Sequence, residues 1–267
     1  MLKDITLGQY FPGESFMHKL DPRMKLLLTL LYIVVLFTVP RFLGFLVVVA
    51  LIALVAWLSK INLKVVLKGL KPLMFIILFT AFFNLLYGGG APLFPEVPWL
   101  SWLKAEGVRN AGFMILRLVL LILGTSYLTY TTSPVMLTDA LERLMRPLQV
   151  FKFPAHELAM MMTIALRFIP TLIDETDKII NAQKARGADF ETGNVVKRAK
   201  ALIPILIPLL VSAFRRAEEL ADAMECRCYQ GGTGRTRYKQ YSFTWRDWLA
   251  LAVMLIAFGF MIVLRVI

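Results

Sequence analysis

Residues 26–58 read LLLTLLYIVVLFTVPRFLGFLVVVALIALVAWL, and Arg41 is the one charge among them. A single helix of this length would reach about 50 Å at ~1.5 Å per residue, well beyond a hydrocarbon core of about 30 Å. The central Pro40-Arg41 pair therefore marks the turn of a helical hairpin, since proline ends a helix and the guanidinium seeks water. The stretch predicts two membrane-crossing helices. Outward from it, apolar runs continue at 72–87, 110–130 and 248–264. With 26–39 and 42–58 they give about five spans, several shorter than the usual length of about 20 residues.

Composition agrees. The 267 residues are 58% hydrophobic and 18% charged, with a mean hydropathy of +0.67. Soluble domains run near 45–50% apolar and about 25% charged, so a water-soluble enzyme is excluded. The net charge of +12 fits the positive-inside rule better than nucleic-acid binding. Basic segments 1–25 (Lys3, Lys19, Arg23, Lys25) and 60–71 (Lys60, Lys64, Lys68, Lys71) alternate with poor ones. The 88–109 loop carries only Lys104 and Arg109 as basic residues. This loop, with Gly88-Gly89-Gly90, Pro92, Pro95, Pro98, Trp99 and Trp102, reads as an irregular outer segment anchored by interfacial aromatics. No cleavable signal peptide is expected, because the first 23 residues lack an apolar h-region.

Residues 134–246 hold 17 of the 30 basic and 12 of the 18 acidic residues. That shift predicts three regions: 1–132 with four spans, a cytoplasmic module at 133–246, and a last span at 247–267. The fold class is an all-α integral membrane protein with long amphipathic helices in its module. Two apolar stretches inside the module, 158–173 and 201–214, are short for spans. The first contains Arg167 and the second is broken by Pro204 and Pro208. Both read as parts of amphipathic helices along the membrane surface or against partners; a re-entrant or sixth spanning segment at 201–214 is the alternative.

Helical spacing supports this. One stripe runs Met161, Met162, Ala165, Ile169, Leu172, Ile173, Thr176, Ile179 and Gln183; another runs Phe214, Ala217, Leu220, Ala221 and Met224. The stripes either pack on each other or form a docking surface, for which the run Met160–Met162 is suited because methionine adapts to many partners. The module also repeats weakly at an offset of 41. Residues 177–187 read DKIINAQKARG and 218–228 read EELADAMECRC. Ile179, Gln183 and Arg186 are spaced like Leu220, Met224 and Arg227, so each arginine continues its helix's apolar stripe by one turn. A basic residue in the last helical turn is an ordinary C-terminal signature. Two such ends in phase with their stripes also suit a docking device, since a guanidinium forks hydrogen bonds to carbonyls or carboxylates.

At these residues the chain resembles the T-component family of energy-coupling factor (ECF) transporters, group II shared type. The N-terminal pattern Gly8-Gln9-Tyr10, Pro12-Gly13, Ser15, His18, Leu20-Asp21-Pro22-Arg23, Lys25-Leu26 is similar to that family's, and Ala185-Arg186-Gly187 matches its first Ala-Arg-Gly motif. Cys226-Arg227-Cys228 stands where the second is expected, with cysteines in place of alanine and glycine. The resemblance covers the whole chain. It implies a coupling subunit of an ATP-driven bacterial importer for vitamins or other micronutrients, in the cell membrane, with the N-terminus and module cytoplasmic. Two ATP-binding-cassette ATPase subunits would receive the helix ends at Ala185, Arg186, Gly187, Cys226, Arg227 and Cys228. A membrane-embedded substrate-binding S component would pack on the spans and on Met161, Met162, Ala165, Ile169, Leu172, Leu220 and Met224. ATP and Mg would be bound by the partner subunits, and no cofactor by this chain.

Catalytic signatures are missing from the sequence. Gly231-Gly232-Thr233-Gly234-Arg235 lacks the Gly-Lys-[Ser/Thr] ending of a phosphate-binding loop. His156-Glu157 starts like a zinc-protease helix, but residue 160 is methionine, so the second histidine is absent. Cys226 and Cys228, the two cysteines, offer two soft metal ligands at most and no disulfide framework. The apolar runs contain Arg117 but no carboxylate, lysine or histidine, which disfavours a stand-alone secondary permease. For Arg117 a hydrogen bond inside the bundle, to backbone or to Ser or Thr, is expected ahead of a substrate contact. A membrane-bound enzyme is disfavoured by the lack of a nucleophile or acid–base pair.

Overall fold

The computed structural model describes residues 10–89, 104–188, 190, 194–232 and 241–266. Most of the expected irregular outer loop (90–103), Gly8-Gln9 of the N-terminal pattern and Thr233-Gly234-Arg235 lie outside the described residues. Nine helices are described: α1 (Pro22–Thr38), α2 (Phe42–Ser59), α3 (Leu63–Lys68), α4 (Met74–Tyr87), α5 (Ala105–Thr131), α6 (Pro134–Met145), α7 (Ala155–Ala185), α8 (Val195–Cys226) and α9 (Trp245–Val266). They form two compact units, Leu141–Lys239 and Gly8–Ala140 with Gln240–Ile267.

The break at Pro40-Arg41 separates α1 from α2 as expected. α1 starts where Asp21 accepts a hydrogen bond from the Arg23 N–H and Pro22 sits in the first turn, the pairing of side-chain cap and pre-set φ that starts helices. Five helical segments are long and apolar enough to cross a membrane: Phe42–Ser59, Leu63–Tyr87, Ala105–Thr131, Ala155–Ala185 and Trp245–Arg265. Their number matches the expectation, but their identity differs at two places. α1 has 17 residues, about 26 Å, at the short limit of a span, and is not among the five. α7 does count, because Glu157 and Arg167 are the only charges over its first 18 residues.

The basic segment after α2 is not a loop. Asn62 accepts from the Lys64 N–H and starts α3, which passes through a 3-10 turn (Lys71–Leu73) into α4. Lys64 and Lys68 are one helical turn apart on α3 and share one side, while Val66, fully buried, holds the other; Lys60 precedes the helix as the left-handed cap of α2.

α5 packs against α1, α2 and α4, and α1 also packs against α9. Tyr32, Val35, Leu36, Phe45, Val48, Leu120 and Met261 belong to the shared core. Lipid is as apolar as such a core, so close packing and internal hydrogen bonds hold it together. Tyr32 donates to the Leu120 carbonyl at 2.6 Å. Gly124 makes room for its ring, for a Cβ there would come within 2.2 Å of it.

The residues carrying the N-terminal resemblance form a polar knot at one end of this bundle. Asp247 accepts from the backbone N–H of Asp21 at 2.9 Å and of Thr244 at 2.8 Å. Lys25, only 4% exposed, donates to the Thr131 carbonyl at 2.9 Å and interacts electrostatically with Asp247 and Asp21. The guanidinium of Arg23 reaches the Tyr241 carbonyl at 3.2 Å. Ser15 and His18 share a 2.6 Å hydrogen bond. Arg117 makes no hydrogen bond among the described residues. It lies 5.4 Å from the Phe37 ring centre, so a cation–π contact replaces the expected hydrogen bond to backbone or hydroxyl.

Candidate functional site

The Leu141–Lys239 unit is organised around α7 and α8, which pack side by side. Four polar contacts give their register. Gln183 of α7 donates to the Pro204 carbonyl of α8 at 3.4 Å. Glu175 accepts from Ser212, and from Arg216 Nη2 at 2.9 Å. His156, at the start of α7, meets the Tyr229 hydroxyl just past α8 at 3.4 Å. Numbers rise on one helix as they fall on the other, so the pair is antiparallel.

α8 is continuous through Pro204 and Pro208, so the prolines do not break it. Each costs the helix a hydrogen bond. Because Pro208 has no N–H, the Pro204 carbonyl lacks its helical donor, and Gln183 supplies one. The Glu175 carboxyl, two residues beyond the apolar stretch 158–173, is held below the usual carboxylate range. Hydrogen bonding from Ser212 is the largest cause, assisted by the charge of Arg216, and burial opposes it.

Both helices end in the same hydrogen-bonded turn. At the first end, Gly187 N–H bonds the Lys184 carbonyl at 3.0 Å and Ala188 N–H bonds the Gln183 carbonyl at 3.0 Å. At the second, Cys228 N–H bonds Glu225 at 2.8 Å and Tyr229 N–H bonds Met224 at 3.0 Å. This is the Schellman pattern, in which the residue after the cap turns left-handed. Gly187 has φ +86° and Cys228 has φ +54°. The cysteine thus adopts the conformation that glycine favours, and Cys226-Arg227-Cys228 folds as Ala185-Arg186-Gly187 does.

Arg186 and Arg227 occupy the cap position of their helices. Both are exposed, and among the described residues neither guanidinium has a hydrogen-bond or ion-pair partner. Ala185, Gly187, Cys226 and Cys228 are exposed beside them. The half-buried residues Ile179 and Gln183 lead to Arg186, and half-buried Leu220 and Met224 lead to Arg227. Because α7 and α8 run in opposite directions, the two arginines lie at opposite ends of the pair. About 26 residues of α7 separate their levels, on the order of 40 Å.

The expected packing positions divide. Met161 is 54% and Met162 42% exposed; Ala165 is also exposed, while Ile169 and Leu172 are half-buried. A larger face lies on the 201–214 stretch, read from the sequence as part of an amphipathic helix along the membrane surface or against partners. Leu202, Ile203, Leu206, Ile207, Leu210, Val211 and Phe214 of α8 are all exposed, and only Ile205 in that stretch is buried. Their three- and four-residue spacing is that of one helix face, and the two prolines do not interrupt it. An apolar surface of this kind requires lipid or a protein partner. His156 is engaged by Glu142 at 3.0 Å, and no group of three potential metal ligands occurs among the described residues.

Comparison with known proteins extends these observations. A family model described as "Cobalt transport protein" (CbiQ) matches residues 13–238. The energy-coupling factor transporter transmembrane protein EcfT of Clostridium kluyveri is 54% identical, over 94% of this chain and 93% of its own. The proteins of the same name from Thermosediminibacter oceani and Ruminiclostridium cellulolyticum are 52% and 50% identical. They align over 97% and 99% of this chain and 97% and 98% of their own. Paired arginine-tipped ends, a membrane-spanning helical bundle and near-full-length relatedness lead to one conclusion: the chain belongs to the CbiQ/EcfT family, the transmembrane T components of ECF transporters.

Proposed function

We propose that this T component is the non-catalytic transmission element of an ATP-driven importer for vitamins or other micronutrients in a bacterial cell membrane. Two ATP-binding-cassette subunits, holding ATP and Mg, each receive one helix end. Arg186 with Ala185 and Gly187 enters one; Arg227 with Cys226 and Cys228 enters the other. An S component that binds the substrate packs on the spans and on the exposed apolar face that includes Met161, Met162 and Ala165. The N-terminus and the 133–246 module face the cytoplasm, where the ATPases are. Movement of the ATPases during the ATP cycle displaces the two helices and, through them, the S component.

One observation carries this reading: two helix ends closed by the same turn, each presenting an exposed arginine without a partner among the described residues, lie at opposite ends of an antiparallel pair. A separation on the order of 40 Å suits two receiving subunits better than one. Each guanidinium can fork hydrogen bonds into a groove lined with carbonyls or carboxylates. The experiment is affinity purification from solubilised membranes, wild type beside Arg186→Glu/Arg227→Glu. The double charge reversal should lose both ATPase chains while still inserting in the membrane, and either single variant should lose less. Retention of both ATPases with unchanged transport in the double variant would remove the docking assignment.

A further inference from the structure

His156 stands in the first turn of α7, half-buried, and three separate stretches of the chain close around its ring. Glu142 of α6 lies 3.0 Å from Nδ1. The hydroxyl of Tyr229, two residues past Arg227, lies 3.4 Å from Nε2. Gly232 passes so near that a Cβ there would come within 2.5 Å of the ring carbon Cδ2, so the lack of a side chain lets the loop close over the imidazole. All four residues belong to the Leu141–Lys239 unit.

The partners set the polarity of the ring. An ionised carboxylate accepts and does not donate, so Nδ1 carries the hydrogen. In the neutral ring Nε2 is then the acceptor, and the Tyr229 hydroxyl donates to it. Tyr229 is also the residue whose backbone N–H closes the second docking turn on the Met224 carbonyl at 3.0 Å. It therefore ties that turn to the end of α8 through its backbone and to the start of α7 through its side chain. The other helix end has no equivalent. At the offset of 41 that relates the two ends, Tyr229 corresponds to Ala188 and His156 to Lys197, and a methyl group makes no hydrogen bond. A segment that is already held loses less freedom when it docks, so the difference bears on how each arginine meets its partner.

We propose that His156 is a positioning residue for the Cys226-Arg227-Cys228 end. Held by Glu142, it anchors Tyr229 and so presents Arg227 in one orientation, whereas Arg186 is presented from a turn that lacks this brace. The two docking ends are thus unequal. The role rests on the docking of Arg227 to an ATPase subunit.

The test uses the full chain in detergent, alone and with the subunits that accompany it. In the chain alone, hydrogen exchange compares the Tyr229 amide with that of Ala188, which closes the opposite turn. His156→Ala should speed exchange at Tyr229 about threefold to tenfold, the range for one hydrogen bond, and leave Ala188 within about twofold. His156→Gln keeps an amide atom near the place of Nε2 and should restore protection; His156→Asn keeps one only near Nδ1 and should not. An unchanged Tyr229 rate in His156→Ala overturns the proposal. So does equal acceleration at both amides, or a glutamine variant no better than the asparagine one. If His156→Ala does not fold, Tyr229→Phe, which removes only the hydroxyl, decides by the same rates. With the ATPases present, His156→Ala should lower their retention about threefold or more on an Arg186→Glu background, where Arg227 holds alone. On an Arg227→Glu background it should change nothing. Altered exchange with equal retention on both backgrounds also overturns the positioning role, and the docking of the arginines is then judged separately by their double charge reversal.

Discussion

Exchanging the residues at positions 187 and 228 tests whether the two helix ends are the same structure made from different chemistry. Both positions lie in the left-handed region, with φ +86° at Gly187 and +54° at Cys228. A residue with a Cβ spends about 1–2 kcal/mol there, whereas glycine gives up about 0.5–1 kcal/mol of extra freedom on folding. The difference leaves Cys228→Gly stabilising the end of α8 by up to about 1 kcal/mol, and Gly187→Cys destabilising the end of α7 by a similar amount. Nothing lies within 4 Å of a Cβ built on Gly187, so the cost there is backbone conformation and not crowding. Hydrogen exchange reads it directly, because the amides of Ala188 and Tyr229 close the two turns. The Tyr229 amide should exchange about fivefold more slowly in Cys228→Gly, and the Ala188 amide about fivefold faster in Gly187→Cys. Faster exchange at Tyr229 in Cys228→Gly would refute the reasoning and show that the cysteine side chain itself holds that end.

Pro208→Ala returns an N–H to the Pro204 carbonyl, so α8 should gain up to about 3 kcal/mol of helix stability; an unchanged or lower unfolding temperature would contradict that account of the Gln183 contact. The Glu175 carboxyl titrates below its unfolded value, so its contribution is complete above the unfolded pKa and is lost as pH falls through the lower folded value. Amide protection along α7 and α8 should drop over that acidic window in wild type, and Glu175→Gln should remove the dependence. Lys25→Met leaves Asp21 and Asp247 without their buried cation and should cost about 3–5 kcal/mol, measured by thermal unfolding in detergent. A loss below about 1 kcal/mol would mean that the polar knot tolerates the missing charge.

The sequence revealed those features that depend on local pattern. The hairpin break at Pro40-Arg41, the run of apolar helices and the phasing of Arg186 and Arg227 all follow from neighbours within one or two turns. What escaped depended on partners far along the chain. Lys25 reads as a loop cation, yet it is buried against Thr131 and the carboxylate of Asp247. Asp247 opens the last expected region, 247–267, and nothing local indicates that it accepts from residue 21. The segment 60–71 reads as basic through its lysines, and the Asn62 cap that starts α3 was passed over. In α8 two prolines suggested interruption, while the compensating donor, Gln183, came from another helix.

The contact between Glu175 and Arg216 has a geometric meaning beyond its strength. The two residues are 41 apart, the same offset that relates the two arginine-tipped ends, and each stands 11 residues before its own arginine. A residue that pairs with its own counterpart lies on the two-fold axis relating the copies. The ion pair therefore marks an approximate internal dyad, with Arg186 and Arg227 about 16 Å of helix away on either side. Strict symmetry would place like charges together on that axis, where they repel. Divergence of the copies into glutamate and arginine turns the least favourable point of a symmetric hairpin into its clasp.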